Sequence, residues 1–221
     1  MKLVFLCAMM FCLCGFNMQN KTTIVFFGDS ITEQGVRPNG YVSLVDSMLQ
    51  KQSAGAYNVV GAGISGNKVY DLYLRMEDDV LAKKPAVVVI WIGVNDVWHK
   101  RLLGTGTDAD KFVKFYQAII TKLQQQNIRV ALCTPSTIGE KWDCTNELDG
   151  DLNKYSALIR SLAQKNNCKL IDLREAFLTY LKTNNPENKD RGILTGDGVH
   201  LNAAGNKFVA QQLMDGLKAL L

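Results

Sequence analysis

The chain has two histidines, His99 and His200, so a residue able to accept a proton near neutral pH is nearly named by elimination. His200 lies in Asp197-Gly198-Val199-His200. An aspartate three residues before it, across a glycine, can fold back onto the imidazole Nδ1 and leave Nε2 free to take a proton. A base so held can take the proton of a serine hydroxyl. Ser30, in Phe26-Phe27-Gly28-Asp29-Ser30-Ile31-Thr32, is the candidate nucleophile. Taken alone, Gly-Asp-Ser reads equally as a turn with an N-capping serine, and Asp-x-x-His is a common accident.

Two further blocks could meet a developing anion. Gly61-Ala62-Gly63-Ile64-Ser65-Gly66-Asn67 matches G-x-G-x-x-G literally, the dinucleotide-binding pattern. It comes after the second expected strand rather than the first. About 20 residues on stands Lys83-Lys84-Pro85, with no acid to hold a ribose. The alternatives are a plain glycine turn, or a Gly63 that lets the backbone approach a reacting carbonyl and donate an N–H. Gly93-Val94-Asn95-Asp96 ends the most apolar run of the chain, Val87 to Ile92. Asn95 can offer its side-chain amide to an oxyanion, and Asp96 is expected to satisfy nearby backbone groups. Turn chemistry explains this block equally well in isolation.

The elements that must position these residues alternate along the chain. Short runs rich in β-branched or apolar residues at 23–27, 57–60, 86–92, 129–133 and 169–172 read as parallel strands covered on both faces. Between them, apolar residues recur at helical spacing: Val42, Val45 and Leu49; Leu72, Met76 and Val80; Phe112, Phe115, Ile119 and Leu123; Tyr155, Leu158, Ile159 and Leu162. Asn202 is a good N-cap for a final helix. The expected fold is α/β, an open five-stranded parallel sheet with helices on both sides. Ligands of such sheets bind beyond the carboxyl ends of the strands, where three of the four blocks fall.

Together, Gly-Asp-Ser-Ile-Thr, Gly63, Gly-x-Asn-Asp and Asp-x-x-His, in that order and spanning Phe26 to Leu201, resemble the SGNH (GDSL) hydrolase family. The resemblance implies a flavodoxin-like three-layer sandwich and acyl-ester hydrolysis with no cofactor and no metal. It implies Ser30 as nucleophile, His200 as base and Asp197 as its partner, with an oxyanion hole made by the N–H groups of Ser30 and Gly63 and the amide of Asn95.

Length and composition fit that expectation. A chain of 221 residues, 47% hydrophobic and 21% charged, suits a single globular domain, expected over 21–221. The net charge of +4 is mild and scattered, which argues against nucleic acid as a partner. Met1-Lys2 with the apolar run from Leu3 to Phe16 after it reads as an export signal over 1–20, too short for a comfortable membrane span. Cys12 and Cys14 raise lipidation, but Phe11 and Leu13 before them are too large for a good lipobox. Cys133, Cys144 and Cys168 are an odd set, of which Cys133 and Cys144 could bridge in an exported protein.

The substrate is least legible. Two long loops, expected at 95–106 and 134–150, carry Trp98, His99, Lys100, Arg101, Glu140, Lys141, Trp142 and Asp143. Trp98 and Trp142 mixed with polar groups, together with Asp29, are candidates for binding a sugar, although anchoring of their own loops explains the tryptophans equally well. The expected substrate is a small ester such as an O-acetylated carbohydrate, with lysophospholipase or acyl thioesterase activity as the alternative. A non-catalytic binding protein on this fold would be favoured by a missing block. A nucleotide-binding flavodoxin-like protein would need a phosphate cradle where Asp29 stands.

Overall fold

The computed structural model describes residues 21–221, so the expected export segment at 1–20 lies outside the described residues. Five strands form one parallel sheet: β1 (Thr22–Gly28), β2 (Tyr57–Gly63), β3 (Val87–Trp91), β4 (Arg129–Cys133) and β5 (Lys169–Ile171). Their order is β2-β1-β3-β4-β5, the flavodoxin-like winding. The chain moves outward from β1 to the edge strand β2, then crosses back to β3. That reversal opens a crevice beyond the carboxyl ends of β1 and β3.

The strands are apolar because both faces are covered. Side chains alternate between faces, so consecutive residues enter different cores. Val25, Phe27, Val88 and Ile90 meet α3 (Val69–Asp79), α5 (Ala109–Gln125) and α6 (Asp149–Lys165). Ile24, Phe26, Val87, Val89 and Trp91 meet α2 (Tyr41–Gln52), α7 (Leu173–Asn184) and α8 (Ala203–Leu217). All five residues of β3 are buried. At roughly 1.5–3 kcal/mol for each large apolar side chain removed from water, burial alone makes β3 a rigid platform for the turn and helix beyond its carboxyl end.

Two helices of ten or more residues were not expected. The supposed loop after β3 is α4 (Val94–Leu103), closed by Gly104 in the left-handed region at φ 68°. Its apolar residues Val94, Val97 and Trp98 are at helical spacing, but the polar run at 99–101 obscures it. His99 therefore sits on a helix. The other is α7, with Leu173, Phe177 and Leu181 on its buried side. The strand expected to reach Asp172 stops at Ile171, because the Asp172 carboxylate caps α7 at the N–H of Glu175. Asn202 caps α8 through the N–H of Gly205, as its residue type led one to expect. α1 (Ser30–Gly35) is too short to show a period. Cys133, Cys144 and Cys168 are free thiols, so the possible bridge between Cys133 and Cys144 is not formed. Among the described residues, no helix is long and apolar enough to cross a membrane.

Candidate active site

α1 begins at Ser30 directly after β1 ends, and Asp29 between them is the N-cap, its carboxylate accepting from the N–H of Ile31 at 3.0 Å. Ser30 is buried but for 8% of its surface. Its Oγ lies 2.9 Å from Nε2 of His200, which arrives from the far end of the chain. On the other side of the ring, Nδ1 lies 2.7 Å from Oδ2 of Asp197. The second carboxylate oxygen of Asp197 accepts from the backbone N–H groups of Val199 at 2.9 Å and His200 at 2.7 Å. Both oxygens are thus used, one on the ring and one on the turn that carries it. Gly198 makes the turn possible, at φ 95°, where a side chain would be strained.

This arrangement has a defined electrostatic sense. Partial burial pushes the Asp197 carboxyl up, but hydrogen bonds from the His200 ring and from the His200 and Val199 N–H groups outweigh it and hold the group below the usual carboxylate range. An ionised Asp197 favours the tautomer with hydrogen on Nδ1 and directs the Nε2 lone pair at Ser30 Oγ.

The candidate oxyanion donors stand just past the end of β1, at the end of β2 and in the first turn of α4. The N–H of Ser30 has no acceptor among the described residues, whereas that of Ile31 goes to the Asp29 carboxylate and that of Glu33 to the Asp29 carbonyl. Gly63 ends β2 in register with Gly28. A Cβ there would stand 2.2 Å from the backbone nitrogen of Glu33 and 2.7 Å from the carbonyl oxygen of Asp29. Only glycine lets the edge strand close onto the turn that bears Ser30. Asn95, 2% exposed in the first turn of α4, donates one amide hydrogen to the carbonyl of Asn67 at 3.1 Å. The amide is thereby oriented with its second hydrogen unspent. The G-x-G-x-x-G match opens no helix, for Gly61 and Gly63 lie within β2.

Two buried acids support this frame. Asp29, expected as a substrate contact, is instead 2% exposed with its carboxylate turned to the start of α1, because a helix starting at Ser30 needs its cap one residue earlier. Burial pushes its carboxyl up to about 7, helped by the nearby Asp96 and opposed by the Ile31 N–H and His200. Asp96 is fully buried and accepts from the N–H of Val69 at 3.2 Å, the backbone role expected of it, and so fastens the start of α3 to α4. Burial raises this carboxyl to about 6 against the pull of the Val69 N–H and of the Lys68 charge.

The expected rim residues separate. Trp98 borders the site, its ring centroid 6.5 Å from that of His200 in an edge-on arrangement. His99 faces the Gly66 turn, its Cε1 being 3.9 Å from where a Cβ on Gly66 would stand. Trp142 spends its indole N–H on the carbonyl of Asn185 and its backbone N–H on Asn188, which ties its loop to the end of α7. Glu140 is no rim residue. It is fully buried, and its carboxylate accepts from the N–H groups of Ile193 and Leu194 at 2.7 Å, and from the N–H and hydroxyl of Thr195. One carboxylate thus gathers the succession of bends that leads to Asp197 and His200. Only its isolation in a mixed polar loop marked it in the sequence.

Known proteins share this fold. The GDSL-like lipase/acylhydrolase family model matches residues 26–208. An acetylxylan esterase of Geobacillus stearothermophilus is 32% identical over 208 residues, 86% of this chain and 91% of that protein. The crystal structure of the acetyl xylan esterase AlAXEase is 63% identical, covers 88% of this chain and 99% of its own, and superposes with a TM-score of 0.86. An α/β hydrolase enzyme from the metagenome of Lake Arreo, Spain, is 27% identical over 90% of this chain and 96% of its own, with a TM-score of 0.79. A serine held against a histidine–aspartate pair, on a family match that spans both ends of the site, leaves one conclusion: the chain belongs to the GDSL-like lipase/acylhydrolase family and is a carboxylic ester hydrolase.

Proposed function

We propose that the protein removes acetyl groups from O-acetylated carbohydrate, xylan fragments first among them, through an acetyl-enzyme formed on Ser30. The observation that carries the mechanism is the unbroken chain from Asp197 Oδ2 to His200 Nδ1 at 2.7 Å and from His200 Nε2 to Ser30 Oγ at 2.9 Å. His200 takes the hydroxyl proton as Oγ bonds to the acetyl carbon, and the carbonyl becomes an oxyanion facing the N–H groups of Ser30 and Gly63 and the amide of Asn95. His200 returns the proton to the departing sugar oxygen. It then takes one from water, whose oxygen attacks the acetyl-serine, and acetate leaves with Ser30 restored.

The choice of substrate rests on similarity to two acetylxylan esterases, one of them 63% identical. Trp98 beside His200 offers an apolar face against which a sugar ring can pack. The apolar run from Leu3 to Phe16 supports export, where a plant polysaccharide would be met.

The test is a panel of p-nitrophenyl esters from acetate to palmitate, with acetylated xylan and acetylated sialic acid beside it. Acetate should be released from acetylated xylan, and turnover should fall steeply beyond short acyl chains. Ser30→Ala should abolish both activities with an unchanged melting temperature. Preference for palmitate would move the reading to a lysophospholipase or thioesterase. Full turnover by Ser30→Ala would remove Ser30 as nucleophile. N-terminal sequencing of the protein from its producing cell tests export: a start beyond Phe16 supports it, an intact Met1 opposes it.

A further inference from the structure

Arg75 points back from α3 into the frame of the site, and nothing in the four sequence blocks draws attention to it. Its side chain is 15% exposed. One nitrogen, Nη2, donates both to the carbonyl of Gly28 at 2.7 Å and to that of Ala62 at 3.0 Å. Nε donates to Oδ1 of Asn67 at 2.7 Å, and Nη1 is paired with Asp79 at 2.6 Å. The guanidinium lies over the ring of Phe27, its centre 4.5 Å from the centroid. One cation therefore joins the end of β1, the end of β2 and the turn beyond.

Each acceptor except Asp79 is one step from a proposed oxyanion donor. Gly28 is the last residue of β1, after which only Asp29 precedes Ser30. The Ala62 carbonyl and the Gly63 N–H are the two ends of a single planar peptide. Holding the oxygen sets the direction of the N–H, and a cation on the oxygen draws charge from the amide and strengthens it as a donor. Asn67, whose side chain takes the third bond, lends its own carbonyl to the Asn95 amide at 3.1 Å. Asp96 fixes the root of α3 through the N–H of Val69, so the helix that carries Arg75 is itself referenced to α4 and Asn95. A lysine could not do this, since only the planar fork of arginine presents several donors at fixed angles.

We infer that Arg75 is the positioning residue of the oxyanion hole, setting the mutual placement of the Ser30, Gly63 and Asn95 donors and strengthening the Gly63 N–H through the Ala62 carbonyl. This rests on the proposed oxyanion hole. Arg75 touches no reacting atom.

The test uses the whole protein with Arg75→Lys, Arg75→Gln, Asn67→Ala, Asn95→Ala and the Arg75→Lys/Asn95→Ala double variant. Each is monitored by thermal melting, by kcat and KM on p-nitrophenyl acetate from pH 5 to 9, and by inhibition with a boronic acid, which forms a tetrahedral anion on a nucleophilic serine. In the folded Arg75 variants kcat should fall about 10- to 100-fold, below the roughly 10²–10³ of a deleted donor, because the donors remain but are misplaced. KM should hold within about threefold, boronate affinity should fall with kcat/KM, and the shape of the pH profile should not move. The double variant should lose less than the product of its single losses. Should both Arg75 variants fail to fold, Asn67→Ala, which removes only the Nε partner, should still lower kcat and boronate affinity together. Normal kcat in a folded Arg75 variant, or a loss confined to KM, overturns the inference. If Asn95→Ala itself has normal kcat, the oxyanion assignment beneath it fails instead.

Discussion

Replacement of Asp197 by asparagine tests the relay at a point where the structure dictates how the substitution must sit. The carboxylate accepts two backbone N–H bonds on Oδ1, from Val199 and His200, and faces the ring with Oδ2. An asparagine keeps the first pair only by placing its carbonyl there, which turns its NH₂ toward His200 Nδ1. Nδ1 must then accept, the hydrogen moves to Nε2, and the ring can no longer take the Ser30 proton. The flipped amide restores the tautomer but forfeits two backbone hydrogen bonds, about 1–3 kcal/mol together. The productive population also lacks a negative charge opposite the imidazolium. That charge is worth little more than about 1 kcal/mol, since the Asp197 side chain is 51% exposed and screened by water. The sum, about 2–4 kcal/mol, corresponds to a loss of about 30- to 10³-fold in kcat. A fully buried aspartate would cost up to about 10⁴. The assay is steady-state hydrolysis of p-nitrophenyl acetate from pH 5 to 9, with melting curves for both proteins and His200→Ala as reference. A kcat within about threefold of the parent at every pH, or a change in KM alone, would refute the tautomer reasoning and leave Asp197 as a structural residue of the turn. Normal activity in His200→Ala would refute the base itself.

Asn95→Ala should lower kcat by about 10²–10³ with KM nearly unchanged, as expected for one oxyanion donor, and a fall confined to KM would mark Asn95 as a substrate contact instead. Gly63→Ala should unfold or inactivate the enzyme, because its Cβ would stand 2.2 Å from the backbone nitrogen of Glu33; a stable, active variant would show that the edge strand can give way. Asp29 and Asp96 keep their protons in the folded protein up to about 7 and about 6, while the unfolded chain releases them near pH 4. The folded state then binds the more protons, so these groups make stability fall as pH rises from about 4 to about 7. Asp29→Asn, which retains an oxygen for the Ile31 N–H, should narrow the difference in melting temperature between pH 5 and 7.5, and an unaltered difference would contradict this. Glu140→Gln should lower both stability and kcat, since it turns an NH₂ toward three N–H groups and a hydroxyl that all donate to the carboxylate; loss of stability with normal kcat would separate Glu140 from the placement of His200.

Part of this protein is dictated by rules that act between near neighbours in the chain. Apolar runs flanked by helical periods require a parallel sheet covered on both sides, and Gly28, Gly63 and Gly93 fall at or beside strand ends because the chain must leave the sheet there. With two histidines to choose from, Asp197 three residues before His200 names the base and its partner. Even α4 and α7 are legible afterwards, in Val94-Val97-Trp98 and in Leu173-Phe177-Leu181. Only the closed fold settles what polar side chains far from their partners do. Asp29 looks like a substrate contact until the helix that starts at Ser30 claims it as a cap. Glu140 reaches a segment 55 residues away, and Arg75 meets Gly28 across 47. A hydrophobic period is written in neighbours three or four residues apart, since it depends only on the geometry of one helix or strand. The partner of a buried charge depends on the path of every loop between the two, and that path exists only once both cores have closed.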